Sequence, residues 1–498
     1  MKLTWKEALR AHAARVPVIV GAMALAACAS TGGIAPAEKM PTKEETAAKL
    51  KLSQVAQPLP SEAWWTVYQD PELNRWIGLG VAQNPTLREA SARLSLAEAA
   101  FLSARAAKSP NVGFQASSNS ERFSQNGIFP PPIGGMVATD NDIDLAASLE
   151  FDLFGRLQAR EDAAHWQVGA GSADRELARV RLAGAIAHAY FDLAHAQRAR
   201  QIAVEIEQSR TEVLNLVRQR VSVGLDTQVE RRLAEETVPE VRVEIERADE
   251  QIALARHSLA LLAGQEPHAA DAVDARLPDD ALLAPPSELP LDLLSRRADV
   301  VAAQLRVSAA LRDVDAARAD FYPNISISAL AGLDALGTRH LFQGSSRNWQ
   351  VEPALHLPLF DGGSLRAQLR SASADADAAI DAYNATVLQA AGEVADASSS
   401  IASVQRQRAQ QALATENAQA AMDLATIRYQ AGLGNFLTVL TAQGNLLTQR
   451  RAQVDLDARA AAMDVSLALA LGGGFHDEQA AGAGASRETA LVNSPSQP

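Results

Sequence analysis

The chain has 498 residues, a net charge of −13, 5% aromatic residues and one cysteine. The acidic balance excludes a nucleic-acid partner, whose phosphates call for basic surface, and a lone thiol excludes an internal disulfide framework or a cysteine-built zinc site. Abundant alanine with few aromatics predicts long, closely spaced helices rather than an aromatic core.

Lys2, Lys6, Arg10 and Arg15 form a basic flank, and Val16 to Ala27 follow as an apolar run. That run is far shorter than the roughly 20 residues of a bilayer-spanning helix, so residues 1–27 read as a signal peptide. Leu25-Ala26-Ala27-Cys28 resembles the bacterial lipobox. The resemblance implies cleavage before Cys28, a diacylglycerol on its sulfur and a fatty acid on the new amino terminus. Two or more acyl chains, each gaining about 0.8 kcal/mol per buried methylene, give lasting attachment. Ala29, in place of Asp, implies the outer membrane under that motif's sorting rule. The alternative is an ordinary secretion signal ending beside a free cysteine.

The rest of the chain is a duplication. KSPNVG (108–113) is answered by FYPNIS (321–326), SLEFDLFGRL (148–157) by ALHLPLFDGGSLR (354–366), and RVSVGLDTQV (220–229) by RYQAGLGNFL (428–437). Three landmarks in one order at offsets of 213, 206 and 208 residues define two copies of one unit.

Within each copy the first two landmarks bracket an alternating stretch, predicted as β-hairpins over about 111–154 and 323–360. Leu145, Ala147, Leu149, Phe151 and Leu153 alternate with polar or small residues. Ile325, Ile327 and Ala329 do the same, as do Trp349, Val351, Leu355, Leu357 and Leu359. Period two gives one apolar and one polar face, and about 10 residues per strand suits a tilted membrane strand. The stretches 129–135 and 336–346 read as loops.

Each hairpin leads into a proline-free helical stretch, about 156–223 and 364–431, which at 1.5 Å per residue would reach about 100 Å. Ile380, Val387, Val394 and Ile401, beside Tyr383, Ala390, Ala397 and Val404, form a heptad seam of the kind along which helices supercoil. Each stretch ends at a glycine, Gly224 or Gly432, which supplies the left-handed turn of a helical hairpin, and helices return over 226–264 and 434–471.

Four tilted strands cannot close a barrel, and an open edge in lipid leaves amides unpaired at several kcal/mol each. Closure therefore requires several copies: two give eight strands, with an interior filled by side chains, and three give twelve, with room for a channel.

Over about residues 60–472 the chain resembles the TolC-like outer-membrane channels of tripartite efflux pumps, in their lipoprotein (NodT/OprM-like) branch. The likeness rests on WWTVYQDPELNRWIGLGVAQNPTL (64–87), LLSRRADVVAAQLRVSAALRDVDAARADFYPN (293–324), PLFDGG (358–363) and RYQAGLGNFLTVLTAQ (428–443), in order and duplicated. It implies a mainly α fold with membrane β: a homotrimer with a 12-stranded outer-membrane β-barrel and a periplasmic α-helical barrel. The implied organisation is an acylated, equatorial segment (28–70), a first repeat (71–264), an inter-repeat equatorial segment (265–290), a second repeat (291–472) and a flexible tail (473–498). Implied partners are outer-membrane lipid, a periplasmic adaptor and an inner-membrane RND pump. No cofactor is implied.

Two positions depart from the family pattern. Ala298 stands where Arg-Pro-Asp is usual, and Thr441 replaces an acid that the family uses to ring the closed periplasmic aperture. A ring of carboxylates sets cation preference, so Thr441 implies a neutral aperture with Leu437 and Thr438 beside it. Asp226 and Glu230, near the other tip, are candidates for the missing charge. The turns Gly224-Leu225-Asp226 and Gly432-Leu433-Gly434 are the expected adaptor-docking tips.

An enzyme remains the rival class. His188 and His195 share a helix face and invite a metal, but solvated or packing histidines have the same spacing. No G-x-S-x-G, H-E-x-x-H, P-loop or dinucleotide pattern occurs. A type I protein-secretion duct and a non-pore helical scaffold lipoprotein are further alternatives. The scaffold leaves the alternating strands without a purpose. The expectation is thus a non-enzymatic efflux duct.

Overall fold

A computed structural model describes residues 31–50, 60–278 and 293–475. Cys28, the leader, the 279–290 part of the inter-repeat segment and the tail beyond residue 475 lie outside the described residues.

In chain order the elements are α1 (Lys43–Leu50), α2 (Pro71–Gln83), α3 (Pro85–Ala106), β1 (Asn111–Arg122), β2 (Val137–Phe151), α4 (Arg156–Ser222) and α5 (Gln228–Leu262). They continue as α6 (Leu293–Arg296), α7 (Ala298–Ala319), β3 (Asn324–Leu336), β4 (Arg347–His356), α8 (Ser364–Gln430) and α9 (Phe436–Ala470). The duplication is metrical: α4 and α8 each have 67 residues, and α5 and α9 each have 35. Among the described residues no helix is long and apolar enough to cross a membrane.

Two compact units emerge, each drawn from both repeats. Among the described residues, one comprises 31–40, 94–170 and 303–383; the other comprises 41–50, 60–93, 171–278, 293–302 and 384–475. Spatial units therefore cut across the sequence repeats.

The first unit holds an antiparallel sheet in the order β1-β2-β3-β4. The two hairpins are fused by β2–β3 pairing, with Ile143 opposite Leu333 and Leu149 opposite Ile327. Its apolar face is open: Phe114 is 70% exposed, Trp349 78% and Leu355 68%. Strand β4 stops at His356, so Leu357 and Leu359 lie past it rather than on it; Pro358 between them has no N–H to donate. Matching caps start the long helices. Asp152 accepts the N–H groups of Leu157 (3.0 Å) and Gln158 (2.7 Å), and Asp361 accepts those of Gly363 (3.0 Å) and Leu365 (2.5 Å). Near the amino terminus Ile34 packs with Val314, Phe321, Leu369 and Ala376. Asp377 accepts the N–H groups of Ala37 (3.2 Å) and Glu38 (2.9 Å), pinning that segment to α8.

The second unit has its main core where α2, α4, α5 and α9 meet, around Trp76, Ile186, Leu193, Leu259 and Val465, with Trp64 buried beside them. Trp64 and Trp65 are thus packing residues, in edge contact at 5.8 Å. All eight heptad positions of α8 are buried, none more than 7% exposed. Asp70 ties this core together. It caps α2 by accepting from Glu72 (2.9 Å) and Leu73 (3.2 Å), and its other oxygen accepts the hydroxyl of buried Tyr190 at 2.6 Å. Asp70→Ala should cost about 2 kcal/mol, combining a lost cap with an orphaned hydroxyl. A lowered unfolding temperature that Asp70→Asn largely restores is the expected result; no shift would remove Asp70 from the stability of this core.

Candidate functional site

The helical-hairpin tips lie in the second unit, and each is built by the same local chemistry. Gly224 (φ +77) and Gly432 (φ +73) adopt the left-handed conformation that other residues resist. Leu225 N–H reaches Arg220 O and Gly224 N–H reaches Val221 O. Leu433 and Gly432 repeat this onto Arg428 and Tyr429. This pair of hydrogen bonds satisfies the last carbonyls of a helix and turns the chain sharply. Val223 and Ala431 become caps, so the long helices end one residue earlier than the sequence predicts. The returning helices begin at Gln228 and Phe436 rather than 226 and 434, because Thr227 and Asn435 serve as N-caps.

The two tips nevertheless differ. Asp226 of the first tip lies between Arg220 (Nε to Oδ2 2.9 Å) and the hydroxyl of Tyr429, which donates to the same oxygen. Arg220 Nη1 donates to the Tyr429 carbonyl at 3.1 Å, and its guanidinium carbon sits 4.5 Å from the Tyr429 ring centre. Burial and then the Asp226 carboxylate push the Tyr429 hydroxyl above its ordinary range, while hydrogen bonding to Asp226 raises Arg220. A neutral donor, a cation and an anion therefore clasp one tip to the other. The second tip has Gly434 where the first has Asp226, so one acid serves both.

This arrangement places the two candidate substitutes for the missing aperture acid. The Asp226 side chain is only 10% exposed and engaged. Glu230 accepts the backbone N–H of Thr227 at 2.9 Å and its hydroxyl, in a capping box, and the Thr227 hydroxyl holds the Glu230 carboxyl below its usual range. Both carboxylates are committed to the turns. Leu437, Thr438 and Thr441 are exposed on α9. Thr438 is held by Asn435 (N–H to Oδ1 3.0 Å), and the Thr441 hydroxyl donates to the Leu437 carbonyl at 2.9 Å. Leu437, one turn before Thr441 on the same face, is 62% exposed, and Leu225 and Leu433 at the turns are 65% and 70% exposed.

The two histidines have different surroundings. His195 Nε2 meets Asp455 at 2.7 Å, and burial lowers His188. Among the described residues, the acidic or histidine group with ligand atoms all within 4.8 Å is Asp140, Asp142 and Asp334, on the sheet's polar face. Arg220 and Tyr429 escaped the sequence reading. Both stand in quoted landmarks, but nothing local distinguishes a tip tyrosine that bonds 203 residues away. Tyr429→Phe should raise amide exchange at 224–230 by roughly three- to tenfold, as expected for one lost hydrogen bond. Unchanged exchange would show that the clasp does not depend on the hydroxyl.

The model of the family described as outer membrane efflux protein matches residues 76–265 and 289–473, one stretch per repeat. The outer membrane protein OprJ of Pseudomonas aeruginosa is 33% identical over 422 residues, 83% of this chain and 86% of its own length. The fusaric acid resistance protein FusA of Burkholderia cepacia is 34% identical over 365 residues, 72% of this chain and 68% of its own. Among solved structures, the outer membrane protein VceC of Vibrio cholerae aligns with a TM-score of 0.77 at 34% identity, over 84% of this chain and all of that one. The outer-membrane channel OprN aligns at 0.78 and 29% identity, over 89% of this chain and 98% of its own. Matched across both repeats and along most of its length, this chain belongs to the outer membrane efflux protein family.

Proposed function

We propose that the chain is the outer-membrane exit duct of a tripartite efflux pump, conducting drugs or other small molecules passively from an inner-membrane RND pump and its periplasmic adaptor to the exterior. The observation that carries this reading is the sheet. β1 and β4 each present an open edge of ten or more residues, and the face between them is apolar and exposed. In lipid both edges must pair, and three copies pair them all in a twelve-stranded barrel with a polar lumen.

In this reading Cys28 carries the acyl chains, and repeats 71–264 and 291–472 form the two halves of each protomer. The tips around Gly224 and Gly432 dock the adaptor through Leu225 and Leu433. The duct performs no chemistry, and the pump supplies the energy and selects the cargo. Threefold repetition of Leu437, flanked by Thr438 and Thr441, gives a constriction of apolar and neutral groups that closes by excluding water.

Native mass spectrometry of protein extracted from outer membranes should give three copies of residues 28–498, each heavier by a diacylglycerol and a fatty acid. A monomer with an unmodified cysteine would sink both the anchor and the assembly. In planar bilayers Leu437→Ala should raise the resting conductance, and an unchanged closed-state current would remove Leu437 from the gate.

A further inference from the structure

The four strands sort their charges by face. Phe114, Leu145, Ala331 and Trp349 pair in one row across the sheet and so share its apolar face. Counting by twos from that row places every strand carboxylate, Glu121, Asp142, Asp334 and Glu352 among them, on the opposite, polar face. The same count places both strand arginines, Arg122 of β1 and Arg347 of β4, on the apolar face. A guanidinium on the side that meets membrane is costly unless an anion receives it. Both arginines are exposed, and neither side chain has a hydrogen bond or ion pair among the described residues. Basic groups at the helix end of the sheet are paired within the chain: Lys108 with Glu161 (2.7 Å), Arg160 with Asp320 (3.5 Å), and Arg156 with Glu150 and Asp320.

Arg122 ends β1 and Arg347 begins β4, so both lie at the loop ends of their strands, away from the long helices. β1 and β4 are the two free edges of the sheet and run antiparallel. When copies close a ring, Arg347 of one copy and Arg122 of the next therefore stand at the same end of one seam. The surface around them has the layering of a membrane boundary. On β4 Arg347 is the next residue on that face after Trp349, an aromatic type that settles at headgroup level. On β1 the apolar face ends at Ala116, and Ser118, Ser120 and Arg122 follow. The Ser118 hydroxyl donates to Asn141 Oδ1 at 2.8 Å, and the Ser120 and Thr139 hydroxyls bond each other at 2.5 Å, so this stretch is polar. At about 3.3 Å per residue it carries Arg122 roughly 20 Å along the strand beyond the apolar band. Even with a strand tilt of about 45°, that exceeds the roughly 5–8 Å of a phospholipid headgroup layer and suits a thicker, sugar-bearing one.

We infer that each seam of the assembled barrel binds an acylated, phosphorylated sugar of the outer leaflet. Arg347 of one copy and Arg122 of the next receive its phosphates, and its acyl chains lie on the apolar face between Trp349 and Leu355. Guanidinium groups suit this role because they donate in a fork that matches phosphate oxygens. The inference deepens the exit-duct reading and rests on it for the closed barrel in the membrane.

Native mass spectrometry of the full-length trimer, loaded in detergent with a bisphosphorylated, acylated glucosamine disaccharide, tests it. Wild-type trimer should retain one such lipid per seam and hold its dephosphorylated counterpart about tenfold more weakly. Arg122→Gln and Arg347→Gln should each weaken retention roughly fivefold and together about twentyfold, while lysine at both positions should keep most of it. The trimer mass in the same spectra shows whether each variant still assembles. Equal retention by wild type and the double glutamine variant, equal retention of the dephosphorylated lipid, or displacement of the lipid by inorganic phosphate alone would overturn the site. Trimers that retain the lipid in this pattern but do not conduct in bilayers would overturn the exit-duct reading and leave the site standing. Conducting trimers without the pattern would do the reverse.

Discussion

Every backbone amide that enters lipid must find a partner within protein, and this demand organises the molecule. One chain contributes four strands whose inner edges pair as β1-β2-β3-β4 and whose outer edges do not. The exposed apolar side chains of that sheet, among them Phe114, Val351 and Leu355, have no covering layer within the described residues. Membrane on one side and further copies at the edges resolve both deficits together. The long helices are a separate feature, α4 and α8 running 67 residues each as a helical scaffold. The continuously buried heptad seam of α8 supplies one edge of such a scaffold.

Duplication explains how one chain builds this scaffold, and at the tips the copies diverge in their side chains. The backbone chemistry is shared: equal helix lengths, the same double hydrogen bond at Gly224 and Gly432, and polar N-caps at Thr227 and Asn435. The side chains are not. Asp226 faces Gly434 in the alignment of copies, Arg210 faces Ala418, and Pro239 faces Leu447. A perfectly repeated tip would place two identical carboxylates or two glycines in the same clasp. The asymmetry instead leaves one anion between one cation and one phenol, a set whose charges balance without burying an unpaired group.

Thr441 fits this division of labour. With a neutral residue at that position and both nearby acids engaged within the turns, the exposed groups on the first turns of α9 are a leucine and two threonines. Carboxylates are instead found on the polar face of the sheet, where Asp142 pairs directly across from Asp334.

The sequence by itself determined whatever is written in local period or backbone stereochemistry. Period two marked the strands, period seven the buried seam at Ile380, Val387, Val394 and Ile401, and glycine the two turns that need positive φ. Recurrence of short landmarks at a near-constant offset marked the duplication. Element ends moved by one to four residues, because caps such as Thr227 and Asn435, and a proline such as Pro358, act on single hydrogen bonds that periodicity does not register. Only the tertiary structure decided which distant groups meet: β2 against β3, Tyr190 on Asp70, Asp377 on the chain near Ile34, and Arg220 with Tyr429 on Asp226. Apart from Arg220 on Asp226, these contacts join positions 120 to 340 residues apart. No local pattern specifies them, because a hydroxyl or carboxylate on a helix face has the same sequence signature whether it meets water or a partner brought there by the fold.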